Sequence, residues 1–199
     1  MTTLYSSNFD SATLDSIAPG WANLNGSWTV QATQPVSGAN AFGSVNKQQG
    51  NQVIYTGVAA RADMGITAAR KAGATLYTMG YMVRATSDGQ YSYIVIVGPA
   101  AAAGKLNISV YSNIGGYVDI IASQDTAVDW ASGDTLYTRV EAIGTALKVY
   151  LWRNAESQPG SATYSLTVSS WSGYAGLFHH AISQGVTVDD IDVDDGAPT

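Results

Sequence analysis

Leu136-Tyr137-Thr138-Arg139-Val140-Glu141-Ala142-Ile143-Gly144-Thr145-Ala146-Leu147-Lys148-Val149-Tyr150-Leu151-Trp152 is the stretch on which the fold is read. Leu136, Thr138, Val140 and Ala142 alternate with Tyr137, Arg139 and Glu141 until Ile143-Gly144-Thr145 breaks the run. Beyond the break, Leu147, Val149 and Leu151 alternate with Lys148, Tyr150 and Trp152. Successive side chains of a strand point to opposite faces, so this alternation on both sides of a Gly-containing turn predicts an antiparallel hairpin with one apolar face.

The same grammar extends outward. Thr78 to Ala85 and Gln90 to Val97 flank Thr86-Ser87-Asp88-Gly89, and an Asp-Gly pair between apolar runs is a strong hairpin signal. Toward its end the run Tyr91 to Val97 is apolar on both faces, as a central strand is. Leu106, Ile108 and Val110 give the next alternating strand, and Tyr117 to Ala122 a further one. Ala59 to Ala74 is rich in Ala, but Gly65 and Gly73 interrupt it and its apolar residues lack helical spacing, so it reads as strand and loop with room for a short helical turn. Many short strands separated by turns predict an all-β sandwich or barrel, with the terminal strands side by side.

Composition narrows the function classes. A chain of 199 residues fits one domain spanning 1–199. Charged residues make up only 12%, and 12 Tyr and 5 Trp suit strands better than helices. A net charge of -6 with nine scattered basic residues would repel phosphate backbones and anionic bilayers, so neither nucleic acid nor membrane is an expected partner. With no cysteine there is neither a disulfide framework nor a thiolate metal site. The opening Met1-Thr2-Thr3-Leu4-Tyr5-Ser6-Ser7-Asn8-Phe9 has no basic and apolar leader pattern, and no segment reaches the roughly 18 apolar residues of a membrane span. Synthesis in a cytoplasm is the expectation from that reading.

The stretch from Asp134 to Leu151, an aromatic-x-Arg strand leading through a Gly turn, resembles a recurring hairpin of concanavalin A-like lectin/glucanase domains. Gly173-Tyr174-Ala175-Gly176-Leu177-Phe178 and Gly185-Val186-Thr187-Val188-Asp189-Asp190-Ile191-Asp192-Val193 look like the last two strands of those domains. Phe9-Asp10, followed by Trp21 and Trp28, is similar to their first strand and its sequel. The resemblance implies a two-sheet antiparallel β-sandwich of the concanavalin A-like jelly-roll kind, a single lectin-like domain. It describes a fold more than an activity.

Catalysis has little to stand on. Laminarinase-type glucanases of this fold carry a Glu-x-Asp-x-x-Glu strand that points its carboxylates into one cleft. Here the only glutamates are Glu141 and Glu156, and neither sits in that pattern. Asp63, Asp88, Asp119, Asp125, Asp129 and Asp134 could meet in space, but most lie beside Gly, Ser or Thr, where Asp serves turns. His179 and His180 are the only histidines, and strand neighbours point to opposite faces, so they do not readily share one site. No Gly-x-Ser-x-Gly elbow or His-Glu-x-x-His pair is present. A non-enzymatic protein is expected.

Two other features carry candidate sites. Val186 and Val188 share one strand parity while Ile191 and Val193 share the other, so the apolar face switches at Asp189-Asp190, through a bulge or an inward carboxylate. A buried carboxylate needs donors or a cation, and Asp190 with Asp10 on an adjacent first strand is the expected metal pair, with structural Ca²⁺ as the ion. The alternative is that Asp189, Asp192, Asp194 and Asp195 form a solvated acidic edge that discourages edge pairing. Among the aromatics, Tyr81, Tyr91, Tyr93, Tyr150 and Trp152 are the expected ligand contacts, since sugars are held by aromatic faces with a few polar groups. Inward parity would make any of them core instead.

The resemblance and these features imply a non-enzymatic phage virion structural protein: a capsid decoration, head-fibre or tail accessory protein made in the host cytoplasm. Its expected partners are other virion proteins or copies of itself, and host glycans. A carbohydrate-binding module or adhesin is the alternative, with a divergent glycoside hydrolase behind it.

Overall fold

Alternation alone decides the architecture. The computed structural model describes residues 1–44, 50–154, 156–180 and 186–196. Every regular element among them is a strand: β1 Thr3–Ser7, β2 Trp21–Asn25, β3 Trp28–Gln31, β4 Ala41–Ser44, β5 Asn51–Tyr55, β6 Met64–Lys71, β7 Met79–Ala85, β8 Tyr91–Pro99, β9 Lys105–Ile114, β10 Tyr117–Asp129, β11 Thr135–Ile143, β12 Ala146–Arg153, β13 Tyr164–Thr167, β14 Tyr174–His179 and β15 Thr187–Asp194. One sheet runs β13-β12-β11-β6-β15-β4-β3, with β1 also on β15, and the other runs β10-β9-β8-β7-β14-β5-β2. All pairings are antiparallel.

The deciding hairpin is β11–β12, in the register Tyr137 opposite Trp152, Arg139 opposite Tyr150 and Glu141 opposite Lys148. Its apolar face, Leu136, Val140, Ala142, Leu147, Val149 and Leu151, meets Tyr81, Val83, Val95, Val97, Ile108 and Val110 of the facing sheet in one buried core. The Asp-Gly hairpin is β7–β8, with Gly89 at φ 71, a left-handed conformation that glycine adopts without strain. The terminal strands do lie side by side, as β1 on β15. The Ala-rich stretch contributes β6, with no helical turn among its residues.

The second face of the seven-stranded sheet is apolar too, and explains why β8 reads as hydrophobic on both sides. Ile54, Met82, Ile94, Ile96 and Phe178 form a separate buried cluster there, flanked by Leu24, Tyr111 and Tyr174. Glycines let these side chains lie flat: a Cβ on Gly80 would stand 2.7 Å from the Phe178 Cβ, and one on Gly176 would stand 2.9 Å from the Met82 methyl. Burial is achieved sideways, within the sheet's own surface.

β15 shows why the apolar parity switches. Its register against β6 slips between Asp189, opposite Ala69, and Asp192, opposite Thr67, and Asp190 sits at φ 47. Both alternatives that the parity switch allows are present, a bulge at the register slip and an inward carboxylate in the buried Asp189. Before it, Thr187 and Val188 pair with β4, so β15 passes from one neighbour to another and diverges from the end of β6.

Candidate functional site

The outer face of the eight-stranded sheet gathers the polar residues of the deciding hairpin. Arg139 donates to Glu141 Oε2 at 3.1 and 3.2 Å and forms a two-pronged ion pair with Asp194. Tyr150 donates its hydroxyl to Glu141 Oε1 at 3.0 Å, and Lys148 Nζ lies 3.5 Å from the same oxygen. Gly65 leaves the room this takes, since a Cβ there would stand 2.7 Å from both Arg139 and Asp194. Burial pulls the Arg139 pKa down, but the Asp194 and Glu141 carboxylates outweigh it and hold the guanidinium above its usual value. Burial, aided by the Glu141 contact, pushes the Tyr150 hydroxyl up. Glu141, one of the two glutamates, is thus bound into a charge network.

The expected metal pair falls at a loop clasp. Asp10 Oδ1 accepts the Ala39 and Asn40 amides at 2.7 and 3.1 Å, and its Oδ2 accepts from Asn8 at 3.1 Å. Asp189 Oδ2 accepts the Val36 and Ser37 amides at 2.9 Å each, its Oδ1 accepts the Asp190 amide, and Asp190 accepts the Ser37 hydroxyl at 2.7 Å. A Cβ on Gly38 would overlap the Asp10 carboxylate, so only glycine fits at the centre of the clasp. Burial raises the Asp189 pKa against the pull of those three amides. Donors supplied by the chain therefore answer the need that suggested a cation, and among the described residues no three His, Cys, Asp or Glu side chains gather as a metal-holding group. The solvated acidic edge is corrected as well. Asp189 and Asp194 are buried, and β15 is an interior strand.

The five expected aromatic contacts separate by exposure. Tyr81 is 0% exposed, because the odd positions of β7 face the other sheet, so it is a core residue and not a ligand contact. Tyr93 is buried in the same core. Tyr150 and Trp152, on the outer face of the hairpin, retain only 8% exposure each, and Trp152 stacks on Tyr137 at 5.3 Å. Tyr91, at 42%, is the open one.

Tyr91 belongs to an aromatic corner that sequence reasoning did not assemble. Its ring meets Trp171 edge-on at 6.3 Å, and Trp171 leans on Tyr93 at 4.8 Å. The Trp171 indole donates to the Arg84 carbonyl at 2.7 Å, and the Ser169 amide donates to the Tyr93 hydroxyl at 2.9 Å. Beneath them Arg84, fully buried with φ 56, donates to the carbonyls of Ala62, Ser169 and Gly144 and stands 4.0 Å from Asp63. A Cβ on Gly173 would sit 2.3 Å from the Arg84 carbonyl carbon, so that loop rests directly on the Arg84 backbone. One side chain ties three loops and presents two aromatic rings at the sandwich end. The available signal was a tryptophan placed within small polar residues, Ser169-Ser170-Trp171-Ser172-Gly173.

The histidines part as strand geometry requires. His179 is buried, 2.9 Å from the Ser44 hydroxyl. His180 lies beside Tyr111 and Phe178, at 6.2 and 6.3 Å, and 3.3 Å from the Thr78 hydroxyl. Asp88 and Asp134 accept backbone amides within their own turns, and Asp63 accepts the amide of Gly144, the roles expected of loop aspartates. Gly185 lies outside the described residues.

No family model matches the chain, and no curated protein matches its sequence. Solved structures do. The carbohydrate-binding module CBM66 from Bacillus subtilis superposes with a TM-score of 0.62 at 16% identity, covering 88% of this chain and 95% of that one. The CBM2 module of the evolved Dit from Lactobacillus casei BL23 phage J-1 gives 0.57 at 12% identity, covering 99% and 97%. The VIP36 exoplasmic/lumenal domain, solved with Ca²⁺ and Man3GlcNAc, gives 0.57 at 10% identity, covering 91% and 86%. The chain has the lectin-like fold of the concanavalin A kind that its hairpin and terminal strands resemble.

Proposed function

We propose that this chain is a non-enzymatic, lectin-like domain of a phage virion that contacts host glycans through the Tyr91–Trp171 corner. The observation that carries the reading is the aromatic pair seated on Arg84, with Tyr91 exposed and Trp171 half-buried beneath it. Sugars offer C–H faces to aromatic rings, and a pre-ordered platform lowers the entropy lost on binding. Two of the similar structures bear carbohydrate-binding modules in their names, and one of those modules is from a phage protein. The non-enzymatic part is supported by Glu141, whose carboxylate is engaged by Arg139, Tyr150 and Lys148. A glycan array with the wild-type chain and Tyr91→Ala tests it. A defined set of glycans is expected to bind and to be lost on substitution, and a blank array contradicts the reading.

The virion part of the proposal has its own surface. β10 is a sheet edge of 13 residues with no Lys, Arg or Pro, and Tyr117, Val118, Ile120 and Ile121 stand exposed on it. Long apolar edges are templates for strand addition. Pairing with a second copy antiparallel about Ile120 sets Asp119 against Ile121, so the acids do not face each other. Light scattering across a concentration series is expected to show self-association.

A carbohydrate-binding module or adhesin outside any virion is the second reading, favoured by the same corner. Co-purification with particles separates the two.

A further inference from the structure

Eight of the nine basic residues lie among the described ones, and five of them, Arg84, Lys105, Arg139, Lys148 and Arg153, have a carboxylate within 4.0 Å. The other three, Arg61, Arg70 and Lys71, do not, and of these Arg70 and Lys71 are adjacent in a chain that carries a net charge of -6. Arg70 is 4% exposed. Its guanidinium donates to the carbonyls of Tyr77 and Val97 at 2.5 and 3.2 Å, and its Nε has no partner among the described residues. Among the described residues Lys71 Nζ reaches only the Thr135 hydroxyl, at 2.7 Å.

A buried cation held by two carbonyls and facing no acid is costly to keep, and burial depresses the Arg70 pKa accordingly. Both residues line a crevice of about 300 Å³, which opens where β15 turns from β6 to β4. Gln34, Thr75, Tyr77 and Thr187 add polar groups to its wall, and among the described residues no Asp or Glu lines it. Gln34 holds φ 50, a strained conformation for a residue with a side chain.

We propose that this crevice is an oxyanion-binding site, taking the carboxylate of an acidic sugar or a free inorganic anion against Arg70 and Lys71. It lies at the opposite end of β6 from the aromatic corner, roughly 20 Å away at ~3.3 Å per strand residue. It stands or falls independently of glycan binding there. Oxyanions suit such a place because charge-assisted hydrogen bonds to guanidinium and ammonium strengthen as water is excluded.

The test is calorimetric titration of the full chain with galacturonate, inorganic phosphate and neutral galactose, repeated on Lys71→Gln. Lys71 is exposed, so that variant keeps the fold, and its thermal midpoint verifies this. Galacturonate or phosphate is expected to bind while galactose does not, with affinity falling at least about tenfold in Lys71→Gln, as loss of one charged contact gives. Tighter galacturonate than phosphate identifies the sugar acid as the source, and the reverse identifies the free anion. Galactose binding as well as galacturonate, an unchanged affinity in Lys71→Gln, or no anion binding at millimolar concentration overturns the proposal.

Discussion

Arg84 shows how one residue organises a site. Its three carbonyl acceptors come from three separate loops, and no residue of another type offers five donors in one plane. Arg84→Met removes three part-buried hydrogen bonds to those carbonyls, and at ~1 kcal/mol net for each the expected loss is about 3 kcal/mol, read from denaturant unfolding. Gly173→Ala is expected to be at least as damaging, because its Cβ meets backbone that has nowhere to go. His180 is a different kind of probe. Burial lowers its pKa below the usual value of 6.5, so the neutral ring stabilises the fold above that pH and the contribution is lost as pH falls through the lowered value. Thermal midpoints of His180→Gln are therefore expected to fall less than wild type between pH 7 and 5, a range set by ~6.5 as the free value. Little of this was legible beforehand. Arg84 sits in an ordinary strand run, and only three-dimensional convergence of Ala62, Gly144 and Ser169 gives it meaning.

At the scale of elements, the alternation patterns carried most of the information. β11 and β12 follow from Leu136 to Trp152 residue by residue, and the bulge in β15 follows from the parity switch at Asp189-Asp190. What parity could not say is which side of β7 and β8 meets the other sheet, since both sides are apolar. Tyr81 was expected at the surface for that reason and lies in the core. Nor could it say that loop 36–40 would supply the amides that Asp10 and Asp189 accept. Because those donors fill the carboxylates, EDTA is expected to leave the thermal midpoint unchanged, and a fall restored by Ca²⁺ would show that an ion shares the clasp. For the free edge of β10, Ile120→Lys is expected to abolish self-association without lowering the midpoint, since this side chain is exposed and touches no core. Persistence of the oligomer in that variant would place the contact elsewhere.

For the whole molecule, strands far apart in sequence are neighbours in both sheets: β1 with β15, β5 with β14, β6 with β11. Such non-local pairing ties the two halves of the chain into one proposed folding unit and slows folding relative to local topologies. Near- and far-ultraviolet circular dichroism are expected to report one coincident unfolding transition, and two separated transitions would divide the chain into independent parts. On that scaffold the central claim is that the corner of Tyr91 and Trp171 meets glycan. The five tryptophan indole N–H signals in a nitrogen-proton correlation spectrum test it directly, because Trp171 is at the corner while Trp21 and Trp28 are buried in the core. Titration with a glycan selected on the array is expected to move the Trp171 signal and leave those of Trp21 and Trp28 in place. Saturable binding that leaves the Trp171 signal unmoved would contradict the account.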